Sequence, residues 1–260
     1  MESLAHGLKV LAAFEPSRPE MTQREIAEVA GVSVPSGLRI GHTLVELGYL
    51  IRNPSTLGYR LGPKSLTLGM ATLSSMSLPE IVQPTLSELR DHLGETIKIA
   101  VLHGVDVVYI GRFAPPGGYL TNIQAGSKLH AAGTSIGRAI LSGFPREEAL
   151  SIVERTHFEQ LTEHSRIDVS SAMAAIEEAR SLGYALNDQE VLANRRAVAV
   201  AISDYGGRPV AGINVSVWTN QVSVKGLLGI VSALRQTAAG ARILVRSATR
   251  QVIAPFEHSS

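Results

Sequence analysis

Residues 22–50, TQREIAEVAGVSVPSGLRIGHTLVELGYL, decide the fold of the first part of the chain. Thr22 and Glu25 have capping-box spacing, in which the hydroxyl accepts from the backbone and the carboxylate reaches back, so a helix is predicted to begin here. Gly31 ends that helix, because glycine adopts left-handed backbone angles without strain. Ser33 then provides an N-cap for the next helix. The stretch therefore predicts a helix, a tight turn and a second helix.

A helix before this segment and a hairpin after it complete the pattern. The apolar residues that recur at helical spacing near the start of the chain are Leu4, Leu8, Leu11 and Phe14. Residues 44–51 pass from helix through Gly48 into a short β-rich stretch, residues 53–58 form a turn, and residues 59–61 return as a strand. This order predicts a winged helix-turn-helix domain over residues 1–62, in which the second helix of the pair reads the major groove of DNA.

One face of that second helix is the predicted DNA-reading face. The opposite face, which suits packing on the preceding helix, carries Gly37, Ile40, Gly41 and Leu44. Arg39 can bond two acceptors on a guanine edge or a phosphate, and Leu38 can contact a thymine methyl group. Arginines of the hairpin, the predicted wing, would contact phosphates and position the domain. The predicted DNA contacts are Thr22, Ser33, Val34, Pro35, Ser36, Leu38, Arg39, His42, Thr43, Arg52, Tyr59 and Arg60.

The rest of the chain predicts a linker helix over residues 63–77 and a larger domain over residues 78–260. In the larger domain, a helical pattern covers residues 78–93, and β-rich runs follow at residues 95–102 and 105–113. Further strands are predicted at residues 184–186, 197–202 and 209–217, with one long final helix over residues 223–247. Helices packed on a curved antiparallel sheet make an α+β domain of the GAF-like kind.

A run of small residues at 131–138, AAGTSIGR, is a candidate anion site. A helix start exposes free backbone donors, and the hydroxyls of Thr134 and Ser135 stand beside this one, which suits a carboxylate. The alternative is that the small residues only let the helix pack tightly against the sheet. The residues by themselves leave both interpretations open.

Composition limits the classes of function. The chain has 260 residues, of which 45% are hydrophobic and 18% charged, so it predicts a folded protein with a sizeable core. Its net charge of +1 gives no support for nucleic acid by itself. The absence of cysteine excludes disulfides, thiolate nucleophiles and cysteine-ligated metals. No apolar stretch approaches the ~20 residues needed to span a bilayer and no secretion signal is visible, so a cytoplasmic protein is expected.

Several stretches resemble one family, the IclR-type bacterial transcription regulators. Those similar to its DNA-binding segment are residues 31–33, Arg39, residues 43–49 and residues 59–62, and those similar to its effector domain are residues 126–129, 137–139, 183–190 and 213–216. The resemblance implies a regulator that binds double-stranded operator DNA and a small effector. It also implies dimers that associate into tetramers, and no enzymatic activity, cofactor, metal or membrane partner.

The resemblance also implies where the effector binds. The family's pocket positions, with neighbouring polar groups added, give the candidate set Leu129, His130, Thr134, Ser135, Ile136, Asn187, Asp188, Arg195, Ala197, Asn214 and Ser216. Asn187 stands where an acid is common, which removes repulsion toward a carboxylate, and Arg195 or Arg196 can supply a cation. Residues 187–190 resemble the aromatic-acid branch of the family, which serves the β-ketoadipate pathway. The expected effector is therefore a small organic acid, either an aromatic acid or a dicarboxylate from its breakdown.

Two other classes of function stay open, because resemblance of fold does not establish function. An enzyme would use His103, His130, Asp188 and Glu190 as acid–base groups, although no nucleophile motif, metal-ligand pattern or phosphate loop accompanies them. The third class is a ligand-sensing module whose helix-turn-helix binds another protein instead of DNA.

Overall fold

The computed structural model of the protein describes residues 2–15, 18–75, 77–117 and 123–248. The chain forms two compact units, which meet in sequence between Ser75 and Met76. The helices of the first unit are α1 (Glu2–Ala12), α2 (Gln23–Ala30), α3 (Val34–Glu46) and α4 (Pro63–Ser75). Strands β1 (Leu50–Arg52) and β2 (Tyr59–Leu61) pair as an antiparallel hairpin. The predicted helix-turn-helix and wing are therefore confirmed.

The predicted capping box at the start of α2 is present. The backbone N–H of Glu25 donates to Thr22 Oγ1 at 3.3 Å, and the backbone N–H of Thr22 donates to Glu25 Oε2 at 2.7 Å. Gly31 ends α2 in the left-handed region at a φ of 69°. Ser33 is the N-cap residue of α3, but the predicted capping hydrogen bond is wrong. The Ser33 hydroxyl instead donates to Ser36 Oγ at 3.1 Å.

Close contact between α2 and α3 depends on a glycine. A Cβ atom at Gly37 would stand 2.7 Å from Ala27 Cβ, so the two helices lie nearer than any side chain would permit. The core around this contact consists of Val10, Met21, Ile26, Ala30, Leu44, Leu50 and Tyr59. Tyr59 is only 2% exposed, which corrects its prediction as a DNA contact, because its ring packs in this core. Leu4 and Leu8 of α1, in contrast, are exposed.

The second unit is α+β, as predicted. Its helices are α5 (Ser77–Leu93), α6 (Ser135–Ser142), α7 (Arg146–Glu154), α8 (Val169–Leu182), α9 (Val224–Gly229) and α10 (Val231–Ala248). Its strands are β3 (Thr96–His103), β4 (Asp106–Phe113), β5 (Lys128–His130), β6 (Ala185–Asp188), β7 (Arg195–Ser203) and β8 (Pro209–Trp218). They form one six-stranded antiparallel sheet in the order β5-β4-β3-β8-β7-β6.

Two details of the second unit differ from the prediction. The single long final helix is wrong, because the segment divides into α9 and α10 at Ile230. Gly226 and Gly229 weaken the helix just before the break, since each glycine costs about 1 kcal/mol in helix propensity. Helix α7 had not been predicted.

One face of the sheet receives α6. Lys98 of β3 pairs directly with Asn214 of β8, and Ser216 of β8 pairs with Ala197 of β7, so these four side chains share a face. Gly212 lies on the same face, where an added Cβ would stand 2.8 Å from Ile136 Cγ2 of α6. The first turn of α6 therefore lies above the polar residues of β3 and β8.

Candidate functional site

A cavity lies between the first turn of α6, the sheet and the loop that joins β6 to β7. Its lining residues are Lys98, Tyr109, Ile123, Thr134, Ser135, Asn187, Val191, Leu192, Arg195, Arg196, Ala197, Asn214 and Ser216. Seven of the predicted effector contacts are among them. The structure thus brings residues from distant parts of the sequence to one place.

Four predicted effector contacts do not line the cavity. Ile136 is fully buried in the core between α6 and the sheet, and Leu129 packs against the same core. His130 Nδ1 lies 2.7 Å from Asp106 Oδ1. Asp188 accepts a hydrogen bond from Arg196 Nε at 2.6 Å, so its carboxylate faces a cation of the protein. These side chains already have partners or packing roles within the protein.

The small residues at the start of α6 were interpreted either as an anion site or as a means of tight packing, and the structure has features of both. The hydroxyl of Thr134 accepts from the backbone N–H of Gly137 at 3.0 Å, so one free donor of the helix is already satisfied. Ser135 Oγ accepts from Asn214 Nδ2 at 3.3 Å across the cavity. The first turn of α6 is also tightly packed, since a Cβ at Gly137 would stand 2.1 Å from the carbonyl oxygen of Ala131. Because Thr134 already satisfies a backbone donor of the helix start, the polar groups that face the cavity come mainly from side chains.

Asn187 supports the backbone around the cavity on two sides. Its Nδ2 donates to the carbonyl oxygen of Gly133 at 2.9 Å, and its Oδ1 accepts from the backbone N–H of Glu190 at 3.3 Å. Both ends of the amide are therefore occupied by the protein. An aspartate here would lose the donor to Gly133, which gives the asparagine a structural reason beside the electrostatic one.

The charge of the cavity wall is positive. Lys98, Arg195 and Arg196 line it, and none of the described lining residues is acidic. Arg195 donates from Nη2 to the carbonyl oxygen of Ser216 at 3.2 Å, and its guanidinium lies 4.5 Å from the centre of the Trp218 ring. Opposite charges attract strongly where water is scarce, so the wall favours an anion.

Lys98 is the charged residue of the wall that was not predicted from the sequence. Its side chain is 3% exposed, and burial together with Arg195 and Arg112 lowers its pKa to about 8. Tyr109, also in the wall, has a pKa raised by burial, so it stays neutral. The available signal was a lysine in the middle of an apolar strand, TIKIAVL, where a lysine is seldom buried without a reason.

A buried ion pair holds the loop of residues 189–194 beside the cavity. Arg138 of α6 donates from Nη1 to Glu190 Oε1 at 2.9 Å and from Nη2 to Glu190 Oε2 at 2.5 Å. The hydroxyls of Thr162 and Ser165 donate to the carbonyl oxygens of Gln189 and Glu190, at 2.7 Å each. The loop carries Val191 and Leu192, so this pair positions part of the cavity wall.

The proposed acid–base groups of an enzyme are not assembled. Glu190 is engaged by Arg138, Asp188 by Arg196 and His130 by Asp106. Within the described residues, no group of three His, Asp or Glu side chains can hold a metal ion. No helix in the described part of the chain has the length and apolar character needed to cross a membrane.

The predicted DNA-reading face of α3 lies on the surface of the first unit. Its exposed side chains are Ser33 at the N-cap and Val34, Pro35, Leu38, Arg39, His42 and Thr43 on the helix, with Ser36 partly exposed among them. Arg39 donates from Nη2 to Ser36 Oγ at 3.1 Å, which directs it along this face. Thr22 is exposed but occupied by its capping box.

The wing is held to the chain before α2 by Glu20. The carboxylate accepts from Arg60 Nε at 2.5 Å and from Asn53 Nδ2 at 3.1 Å, and also from Thr56. The hydrogen bonds from Thr56, Asn53 and Arg60 lower the pKa of Glu20 to about 2. Arg60 thus orients the wing through one edge of its guanidinium, while Arg52 extends over the Tyr59 ring at 5.8 Å from its centre.

Comparison with known proteins agrees with both units. Residues 3–54 match the family model described as IclR helix-turn-helix domain, and residues 70–241 match the model described as bacterial transcriptional regulator IclR C-terminal. The Pca regulon regulatory protein of Pseudomonas putida is 34% identical over 224 residues, which cover 86% of this chain and 76% of the relative.

Two solved structures are also similar. A putative transcriptional regulator, RHA06195 from Rhodococcus sp. RHA1, superposes with a TM-score of 0.76 at 31% identity and covers 95% of this chain and 99% of its own. The inducer-binding domain of a double mutant of PobR from Acinetobacter, in complex with 3-hydroxybenzoic acid, has a TM-score of 0.59 at 27% identity. That match covers 63% of this chain and 97% of the other.

These relatives are transcription regulators rather than enzymes, and the comparisons give no support to either alternative class. The Pca and PobR matches support the aromatic-acid branch that residues 187–190 had indicated. The two family models together match most of the chain, in the order expected from the sequence. The chain therefore belongs to the IclR family of DNA-binding transcription regulators.

Proposed function

We propose that the protein binds operator DNA through the exposed face of α3 and the wing, and that a small aromatic acid in the cavity modulates this binding. The observation that carries the proposal is a cavity with three cationic side chains in its wall and none of the described lining residues acidic. In this assignment residues 1–62 form the DNA-binding domain, residues 63–77 the linker helix and residues 78–260 the effector domain. The regulator acts in the cytoplasm, where bacterial DNA lies.

The proposed class of effector follows from the charged and apolar residues of the cavity wall and from the ligand of one similar protein. A carboxylate satisfies the cationic groups, and Tyr109, Ile123, Val191 and Leu192 offer apolar surface to a ring. The similar PobR domain is described as a complex with 3-hydroxybenzoic acid. Binding changes operator affinity only to the extent that the acid prefers one arrangement of the regulator over another.

The test is a binding assay with the upstream region of the protein's own gene, in which fluorescence anisotropy measures the binding. We expect specific binding that weakens steeply as salt rises, because phosphate contacts release counterions. At least one acid among benzoate, the hydroxybenzoates and the dicarboxylates should change the affinity of the protein for this DNA. Salt-independent binding, or no response to any acid, would contradict the proposal.

Arg39→Ala is expected to weaken specific operator binding by about 1–3 kcal/mol, because a bidentate contact to a base or phosphate is lost. The matched control is Arg155→Ala, since Arg155 is an exposed arginine of the second unit. Among the described residues its Nε bonds only to the carbonyl oxygen of Ser151, at 3.0 Å. Anisotropy with the operator measures both variants. Unchanged affinity in the Arg39 variant would remove this residue from the reading face.

We further propose that the regulator forms dimers that associate into tetramers. Exposed apolar side chains on the first unit support self-association: they are Leu4 and Leu8 of α1 and Leu66, Leu68 and Met70 of α4. Paired domains also match the paired half-sites of operators. Light scattering at micromolar concentration should show these assemblies, and a monomer with full operator affinity would contradict them.

A further inference from the structure

Lys98 differs from the other cations of the cavity wall. Arg196 is paired with Asp188, and Arg195 contacts the carbonyl oxygen of Ser216 and the Trp218 ring. The side-chain ammonium of Lys98 has no hydrogen bond or ion pair to any described residue, although the residue is only 3% exposed. A buried ammonium group without a partner is unfavourable, and an anion beside it would offset that cost.

The charged and titratable groups around Lys98 increase its preference for an anion. Arg112 lies directly opposite on β4, and Arg195 approaches from β7. Tyr109 of β4 is neutral, and Glu95, just before β3, interacts with Arg195 and has a pKa raised by burial. The carboxylates of Asp188 and Glu190 are engaged by arginines.

Asn214, the cross-strand neighbour of Lys98, has an unused acceptor. The residue is 5% exposed, its Nδ2 donates to Ser135 Oγ, and its buried Oδ1 has no hydrogen-bond partner among the described residues. A carbonyl oxygen repels a carboxylate but accepts from a hydroxyl group. Directly opposed residues of antiparallel strands have Cβ atoms roughly 5 Å apart, so one small molecule can reach both side chains.

We propose that Lys98 and Asn214 are the specificity-determining pair of the cavity, with Lys98 binding the carboxylate of the effector and Asn214 Oδ1 accepting a hydrogen bond from its hydroxyl group. The cavity accordingly selects a hydroxy acid over the same acid without a hydroxyl. This inference rests on the proposed effector site and adds the atoms that distinguish one acid from another.

Calorimetry on the full chain tests the pair with four probes: benzoate, 3-hydroxybenzoate, 4-hydroxybenzoate and uncharged 4-hydroxybenzamide. In the original protein, at least one hydroxybenzoate should bind about tenfold tighter than benzoate, since one hydrogen bond is gained. Lys98→Met should weaken the hydroxybenzoates by roughly 10- to 100-fold and leave the amide unchanged, because only the charged contact is lost. Asn214→Leu should reduce hydroxybenzoate affinity to that of benzoate.

Lys98→Arg provides a variant that keeps the charge. The pKa of Lys98 is about 8, so acid binding by the original protein should weaken as pH rises from 8 toward 9 and the ammonium loses its proton. The arginine variant should bind acids without this decline, since a guanidinium stays charged. Circular dichroism checks that each variant is folded.

The outcomes separate the inference from the proposed function. Wild-type acid affinity in Lys98→Met, or equal affinity of the original protein for benzoate and both hydroxybenzoates, overturns the pair even if operator binding responds to acids. Selective binding that depends on Lys98 and Asn214, without any operator response, supports the pair and contradicts the proposed function. No binding of any acid to the original protein overturns both.

Discussion

A protein carrying Glu190→Gln is expected to unfold with a free energy about 3–5 kcal/mol lower than the original, because the change leaves a buried guanidinium without its counter-charge. Arg138 is 1% exposed, and both of its terminal nitrogens bond to Glu190. Glutamine keeps the shape of the side chain but turns one acceptor into a donor that faces Nη2. Urea unfolding, followed by circular dichroism, measures the loss.

The control for this prediction removes both charges together. Arg138→Met combined with Glu190→Leu should recover most of the lost stability, since replacing a buried pair by apolar residues is often neutral. The single change Arg138→Met should be destabilising, because the buried carboxylate loses both hydrogen bonds from Arg138 and keeps only the ion pair with Arg166 Nε, at 3.4 Å, among the described residues. A Glu190→Gln protein within about 1 kcal/mol of the original would show that the pair contributes no more than an ordinary hydrogen bond.

Gly37→Val is expected to destabilise the first unit by about 3 kcal/mol, because overpacking forces the backbone to move, and to abolish specific operator binding. The added Cβ alone would stand 2.7 Å from Ala27 Cβ and 2.8 Å from Ala27 Cα, neither of which can move without moving α2. Displacement of α3 would then carry the predicted DNA-reading face out of position. Anisotropy with the operator measures the loss of binding.

The matched control is Gly7→Val in α1, where an added Cβ has no heavy atom within 4 Å. That variant should keep operator affinity within a few-fold of the original protein. Calorimetry with hydroxybenzoates provides an internal check on the Gly37 variant, because the second unit is untouched. Retention of operator binding by Gly37→Val would mean that α2 and α3 can separate without disturbing the reading face.

Local chemistry explains which parts of the fold were predictable from the sequence. The capping box of Thr22 and Glu25 and the turn at Gly31 depend on neighbours along the chain, so their spacing is sufficient. Tyr59 was assigned to the DNA surface because a three-residue strand does not reveal which of its faces is buried. Its burial depends on the core that α1, α2 and α3 build together.

The site was less predictable, because its contacts join residues far apart in sequence. Arg138 and Glu190 are separated by 52 positions, and Ser135 and Asn214 by 79. Alternation along β3 shows that Lys98 shares a face with Thr96, but only its register with β8 brings it beside Asn214. The family resemblance supplied five of the thirteen lining residues, Ser135, Asn187, Ala197, Asn214 and Ser216. It omitted Lys98, whose part depends on its neighbours on β4, β7 and β8.

The packing of α3 through Gly37 has a consequence for how new operator preferences arise. Support and the proposed DNA readout occupy opposite sides of one helix, and on the supporting side the backbones of α2 and α3 come together without an intervening side chain. Exposed positions such as Val34, Leu38 and His42 can therefore change identity with stability effects of about 0.5 kcal/mol or less. Evolution or protein engineering can alter the DNA sequence that is recognised while the scaffold beneath it stays constant.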